Sequence, residues 1–385
     1  MNHNWLLPEY IEDVLPPLSW RLESVRRAIL DLFWRHGYEL VQPPLLEYLE
    51  SLLTGTGHDL DLKTFKLVDQ LSGRHMELRA DITPQAARID AHLMNFQSIN
   101  RLCYSDSVLQ TLPDSMMGSR EPVQIGAELF GHAGLESDFE IQTLMVDALA
   151  LAGAGNIVID LGHVAIFRAL VSQTPQSAAR ETDLFQALQS KDTRLLAELT
   201  SDLEPLLAKA LCALPELNGG ESVLEEATSR LPTHAGIADA LRDLKRLGEM
   251  LKQRSVRVSY DLAELRGYHY HSGIVFAAYA EGYRDAVAKG GRYDEVGKAF
   301  GRARSATGFS IDLREVLSSS DISGRVGILA PYRADDTALA DCIAALRNGG
   351  ERVVVDLPGS VSDIAELGCD RRIVFEASAW RVKPN

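Results

Sequence analysis

The chain has 385 residues, 46% hydrophobic and 24% charged, with a formal net charge of −15, a composition typical of a globular protein with two or three domains. Lysine and arginine are scattered through an acidic chain with no basic run, which argues against a nucleic-acid partner. No apolar run approaches a membrane span and the N-terminus lacks a basic segment followed by an apolar core, so the reading is a cytoplasmic protein with no membrane partner.

The first element is a helix over Ser19–His36, with Trp20, Val25, Ile29, Leu32 and Phe33 near helical spacing, Ser19 at the cap and Gly37 at the stop. Y-E-L-V-Q-P-P-L-L-E then gives a short strand broken by Pro43 and Pro44. The run T-F-K-L-V-D-Q-L-S-G-R-H-M-E-L-R-A predicts a hairpin turning at Ser72-Gly73. Thr83 caps a helix to Met94 with Pro84 in its first turn. Strands follow at Leu102–Leu109 and Pro122–Phe130, then a helix over Ser137–Ala152. Cys103, Cys212, Cys342 and Cys369 lie far apart with no C-x-x-C, as expected of reduced, buried thiols.

Residues 178–252 are rich in Ala, Leu and Glu, poor in aromatics, and broken by Pro205, Pro215, Gly219-Gly220 and Pro232. They form a helical insertion. Strands return with R-V-S-Y, G-I-V-F-A-A-Y and D-A-V-A, and the stretch ends at K-G-G-R-Y-D. After Ser318–Ser320 a β-α-β-α-β pattern predicts a small three-layer domain. The boundaries are therefore 1–177 and 253–320 for two parts of one core, 178–252 for the insertion and 321–385 for the C-terminal domain. The fold class is α+β: an antiparallel sheet flanked by helices, with the helical insertion and a small C-terminal α/β domain. No G-x-G-x-x-G, Walker A loop or H-E-x-x-H is present, and no cofactor is indicated.

Chemistry concentrates in E-L-R-G-Y-H-Y-H-S-G-I-V-F, Glu264 to Phe276. On a strand His269 and His271 would share a face, as two metal ligands do. No recognisable motif supplies a third ligand, so no metal site is assigned. A polar sheet face is the second reading. The third is a small-molecule pocket, with aromatic walls and Arg266 for a carboxylate or phosphate. Two other segments favour the pocket. E-L-R-A-D-I-T-P ends a strand with Asp81 and Thr83 at a helix start, and V-Q-I-G-A-E-L-F-G sets Gln124, Gly126 and Glu128 on one strand face. Carboxylates for an ammonium and an arginine for a carboxylate together suit a zwitterion.

In this order and spacing the segments resemble histidyl-tRNA synthetase, a class II aminoacyl-tRNA synthetase, across nearly the whole chain. G-Y-E-L-V-Q-P-P-L-L-E resembles the dimer-forming first motif, E-L-R-A-D-I-T resembles L-R-P-E-G-T, V-Q-I-G-A-E-L-F-G resembles the strand after the second motif, L-R-G-Y-H-Y-H resembles R-G-L-D-Y-Y, and G-G-R-Y-D is shared. The resemblance implies a class II synthetase-like core over 1–177 and 253–320 and a truncated anticodon-binding-like domain over 321–385. Where the second motif should read F-R-H-E this chain has L-Q-T-L, placing Gln110 at the position of an ATP-binding arginine and Leu112 at the acid. Where the third should end G-x-E-R-L, Glu315 stands at the arginine position and Asp312 at a glycine position. Arg314 lies one position early, about 100° away on a helix. One lost oxyanion-type contact costs about 3 kcal/mol of transition-state stabilisation, so two such losses remove useful adenylation.

A synthetase-like body without its ATP arginines resembles the ATP phosphoribosyltransferase regulatory subunit family. That resemblance implies a chain with no catalytic residues, self-associated as a dimer through Trp20–His36 and Tyr38–Pro44 within a hetero-oligomer. Its partner is the short-form catalytic phosphoribosyltransferase, which it activates in the first step of histidine biosynthesis, with histidine as feedback effector. It further implies a histidine pocket of Asp81, Thr83, Gln124, Glu128, Arg266, Tyr270 and His271. A stand-alone histidine sensor and a divergent histidyl-tRNA synthetase are the alternatives.

Overall fold

The structure is a computed structural model that describes residues 6–49, 62–113, 118–318, 326–359 and 363–385. The chain divides into two compact units, Met1–Asp13 with Leu22–Ser320, and Val14–Arg21 with Asp321–Asn385.

Helix α1 (Leu18–Arg35) buries Val25, Ile29 and Phe33, residues four apart and so on one helical face. Phe33 packs edge-on against Phe309, ring centroids 5.9 Å apart. Strands β1 (Glu39–Leu40) and β2 (Leu46–Tyr48) follow, then the hairpin β3 (Phe65–Val68) and β4 (His75–Leu78). Asp69 sets that hairpin's turn, accepting from the Leu71 and Ser72 amides through its carboxylate. Helix α2 (Thr83–Arg88) continues as a π-helical stretch, Ile89–Met94. Then come β5 (Asn100–Ser107), β6 (Val123–Phe130), α3 (Leu135–Ala152) and β7 (Val158–His163).

Between β7 and the next long strand lie α4 (Val164–Val171), α5 (Pro175–Ala179), α6 (Glu181–Gln189), α7 (Thr193–Leu199), α8 (Pro205–Ala213), the two-residue β8 (Asn218–Gly219), α9 (Ser222–Arg230) and α10 (Ala235–Gln253). Helix α10 buries Ile237, Ala240, Leu241, Leu244, Leu247 and Leu251 at steps of three and four, the spacing of one apolar stripe. Gly248 lies in the same stripe because a Cβ there would sit 2.0 Å from the Tyr260 hydroxyl. The core resumes with β9 (Arg257–Asp261), β10 (Ile274–Tyr279), β11 (Ala288–Arg292), β12 (Ala306–Asp312) and α11 (Leu313–Ser318).

Among the described residues nine strands form one sheet in the order β1-β5-β6-β12-β11-β10-β7-β9-β8. It is antiparallel except at the parallel pairs β1–β5 and β7–β9. Strand register decides which residues share a face, since directly opposed residues point to the same side. One row across the sheet reads Glu128, Gly308, Gly291, Val275, Gly162. The next reads Tyr104, Gly126, Ser310, Lys289, Ala277, Asp160, Ser259. Apart from Lys289, the face therefore has a floor of mostly small residues, with polar groups at both ends.

The opposite face carries α3 and α10. Arg292 points there and is held by Asp138 Oδ2 at 2.6 Å from Nη2, by Ser137 Oγ at 2.9 Å and by the carbonyls of His132 and Gly134. Asp138 is fully buried. Desolvation drives its pKa upward against the pull of Arg292.

The second unit holds β13 (Gly327–Pro331), α12 (Thr337–Asn348), β14 (Val353–Asp356), β15 (Cys369–Glu376) and β16 (Ala379–Pro384). Its sheet runs β14-β13-β15-β16, the last pair antiparallel. Ile328, Ala330, Leu339, Val353 and Ile373 make its core. The sequence predicted three layers with a second helix before R-I-V-F. Residues 360–362 of that stretch lie outside the described residues; residues 364–368 form turns, and Gly368 takes a left-handed conformation, φ 59°. Among the described residues from 326 onward α12 is the one helix, and a fourth strand, β16, extends the sheet beside β15.

Candidate functional site

Glu128 lies at the centre of the β5–β6–β12 end of the floor and is 1% exposed. Tyr104 Oη donates to its Oε1 at 3.0 Å, and Tyr293 Oη to its Oε2. Two glycines make that geometry possible. At Gly308 a Cβ would stand 1.5 Å from Glu128 Oε2, and at Gly126 one would stand 2.5 Å from Tyr104 Oη. Burial raises the Glu128 pKa to about 8, with the two tyrosine hydroxyls pulling the other way and Asp81 reinforcing the rise.

Asp81, Thr83 and Gln124 adjoin this centre. Gln124 Nε2 donates to Asp81 Oδ1 at 2.8 Å, and its Oε1 accepts the Ile82 amide at 2.9 Å. Asp81 Oδ1 also accepts the Thr83 amide. Thr83 was expected to cap its helix, but Ile82 occupies the cap position. The Thr83 hydroxyl lies 3.1 Å from Tyr104 Oη instead, joining the network around Glu128. Tyr270 packs at a tilt against Tyr293 with 5.0 Å between centroids, and among the described residues its buried hydroxyl has no hydrogen-bond partner.

His271 sits farther along the floor. Its ring packs over Gly291, where a Cβ would come within 2.8 Å of it, and its Nδ1 lies 3.2 Å from the Arg292 carbonyl. Burial lowers its pKa to about 4. The neutral ring donates from Nδ1 to that carbonyl. Gly291 is two strands from Glu128 in register, about 10 Å at ordinary strand spacing. The segment from Glu264 to Ser272 contains no strand, with turns over residues 266–270. His269 and His271 consequently do not share a strand face: His269 packs against Phe185 and Tyr268.

Arg266 departs most from the sequence reading. Its Nη2 donates to Tyr279 Oη at 2.8 Å and lies 3.4 Å from Glu264 Oε2. It lines a separate cavity at the β7–β9–β10 end of the floor. The sequence-predicted set thus divides: Asp81, Thr83, Gln124, Glu128 and Tyr270 come together, His271 borders them, and Arg266 does not join them. Two tyrosines absent from that set complete it. Tyr293 lay in plain view within G-G-R-Y-D. Tyr104 could be found only from the register that places it beside Gly126.

Three side chains at the positions that the sequence reading set against the synthetase motifs are engaged locally. Gln110 Nε2 donates to the Ala80 carbonyl at 3.3 Å. Arg314 bonds Ser119 Oγ at 3.2 Å and lies 3.8 Å from Glu121. Asp312 Oδ1 accepts the Arg314 amide at 2.9 Å, and burial raises its pKa to about 6. As an assembly of two carboxylates, an amide and phenols, the Glu128 centre is suited to an ammonium or a protonated imidazole.

Residues 10–316 match the family model described as histidyl-tRNA synthetase. The chain superposes on a histidyl-tRNA synthetase from Nostoc with a TM-score of 0.77, covering 99% of this chain and 95% of that one at 17% identity. The fold is therefore that of the histidyl-tRNA synthetase-like class II proteins. Residues 325–383 match the model described as the ATP phosphoribosyltransferase subunit HisZ C-terminal domain. The chain is 57% identical over 380 residues to an ATP phosphoribosyltransferase regulatory subunit of Methylobacillus flagellatus, covering 98% of each. It is 54% identical over 384 residues to one from Ralstonia pickettii, covering 100% of this chain and 99% of that one. A crystal structure from Bacillus halodurans described as an ATP phosphoribosyltransferase regulatory subunit/histidyl-tRNA synthetase superposes with a TM-score of 0.86 at 26% identity, covering 97% and 98%. The chain belongs to the ATP phosphoribosyltransferase regulatory subunit family.

Proposed function

We propose that this chain is a cytoplasmic, non-catalytic regulatory subunit that activates a short-form ATP phosphoribosyltransferase in the first step of histidine biosynthesis and transmits feedback by histidine. The observation that carries the reading is 57% identity across 98% of a relative so named. Histidine binds at the Glu128 centre, its cationic groups meeting Glu128 and Asp81, and shifts the complex between two states through its differential affinity for them. The decisive experiment adds the purified chain to a short catalytic phosphoribosyltransferase from the same genome. Phosphoribosyl transfer rises on addition and falls with histidine; no rise removes the reading.

The loss of ATP chemistry is the second half of this proposal. Gln110 and Glu315 supply no cation where a synthetase grips the triphosphate, and Arg314 is tied to Ser119 and Glu121. ATP–pyrophosphate exchange with histidine is expected to stay at background; histidine-dependent exchange would make the chain a synthetase.

Self-association completes the proposal. Trp34 on α1 is 72% exposed and Leu40 on β1 is 50% exposed, and exposed aromatic and aliphatic groups of this size are typical of interface cores. Trp34→Asp is expected to convert dimers to monomers in sedimentation equilibrium. An unchanged mass places the dimer contact elsewhere.

A further inference from the structure

We propose that the far end of the same sheet face carries a second small-molecule site, for a zwitterionic α-amino acid, where the helical segment α5–α10 meets β7, β9 and β10. A cavity of about 320 Å³ lies there, with Asp160, Asp261, Glu264, Arg266 and Tyr279 from the core side and Lys191 from the helical segment among its lining residues. That volume is at the small end of ligand pockets, the size for a metabolite. Asp160 is four strands from Glu128 in the sheet order, about 19 Å at ordinary spacing.

The cavity is polarised from floor to rim. Asp261 and Glu264 have side chains only 10% and 8% exposed, whereas those of Lys191 and Arg266 are 53% and 44% exposed. Lys191 Nζ reaches Asp261 at 3.0 Å, and Arg266 reaches Glu264 at 3.4 Å. Two cations thus face three carboxylates. Asp160 Oδ1 accepts from Ser259 Oγ at 2.6 Å, and among the described residues no cation forms an ion pair with it. Burial together with Asp261 and Glu264 raises its pKa.

An ammonium lowered to the floor supplies the missing positive charge beside Asp160. The carboxylate of the same molecule then meets Lys191 and Arg266 at the rim. Other ligand classes fit less well. A phosphate would confront three carboxylates. Among the described residues no three His, Cys, Asp or Glu side chains gather closely enough to hold a metal ion. The assignment also gives the helical segment a task, since Lys191 closes the cavity from the loop between α6 and α7.

The test is isothermal titration of the full chain with L-histidine, L-arginine, L-lysine, L-glutamate and glycine in turn. The variants are Asp160→Asn, Lys191→Ala and Glu128→Gln. At least one amino acid is expected to bind the wild type, to weaken about tenfold or more in Asp160→Asn and Lys191→Ala, and to stay within about twofold in Glu128→Gln. If Asp160→Asn fails to fold, Lys191→Ala and Tyr279→Phe decide, because the Lys191 side chain is half in solvent. No binding at millimolar concentrations, or binding lost only in Glu128→Gln, overturns the proposal. Failure of the chain to activate a phosphoribosyltransferase, with this binding intact, removes only the regulatory reading.

Discussion

Glu128→Gln is expected to weaken histidine binding by about thirtyfold or more, the lower end of what removing one member of a buried, hydrogen-bonded charge pair costs. The substitution keeps the shape that Gly308 and Gly126 accommodate, but it replaces one of the two oxygens that accept from Tyr104 and Tyr293 with an NH2 donor, so a loss of affinity reports the carboxylate's charge together with that lost acceptor. Stability supplies an independent readout. Burial raises the Glu128 pKa from 4.5 to about 8, so the folded chain retains a proton that the unfolded chain releases above about 4.5. The favourable contribution of that proton is complete below about pH 4.5, declines as pH rises, and is gone above about 8. The linkage is on the order of a few kcal/mol. Glu128→Gln removes this decline, and the variant gains on the wild type between pH 5 and pH 8 in urea unfolding. An unchanged difference between the two proteins across that range would show Glu128 ionised throughout.

The same pair of glycines explains why the site was only partly legible in the sequence. Gln124, Gly126 and Glu128 alternate along one strand, so their shared face followed from the period of two. Asp81 and Thr83 were visible at a strand end. Tyr104 was not, because L-C-Y-S-D-S does not reveal which residue of another strand lies opposite; only the pairing Tyr104–Gly126 brings its hydroxyl to Glu128. Arg266 was misplaced for a related reason. Composition suggested a carboxylate ligand for it, yet turn geometry around Gly267, φ 64°, directs the side chain to Glu264 and Tyr279.

The fold followed the same division. Helices with a clear apolar stripe were readable to within a residue or two: Ser19–His36 was expected and Leu18–Arg35 found, Ser137–Ala152 expected and Leu135–Ala152 found. The final strand β16 was missed. Its hairpin turns on Ala377 and Ser378, both at positive φ, where Asn or Gly would have given the signal. The mixed character of the sheet was also hidden, because β1 is only two residues long and the whole helical segment separates β7 from its parallel neighbour β9 in sequence.

Arg292→Ala is expected to produce the largest loss of stability, about 3–5 kcal/mol, as is usual when one partner of a buried ion pair is removed. Asp138 has 0% exposure, and its Oδ2 accepts from both Nε and Nη2 of Arg292. Without the guanidinium the carboxylate must either stay charged in a dry site or take up a proton, and both weaken the fold at neutral pH. Arg292→Leu with Asp138→Leu together is expected to recover much of the loss, since an apolar pair leaves no orphaned charge. The consequence reaches the ligand face. Arg292 anchors β11 to the start of α3 from behind, while the next residue, Tyr293, presents its hydroxyl to Glu128 from the front. Arg292 therefore acts as a positioning residue. The single variant should lose histidine affinity even under conditions where it remains folded, and the double leucine variant should stay weak in binding while regaining stability. Equal recovery of both properties would show that the guanidinium serves the fold alone and that β11 keeps its place without it.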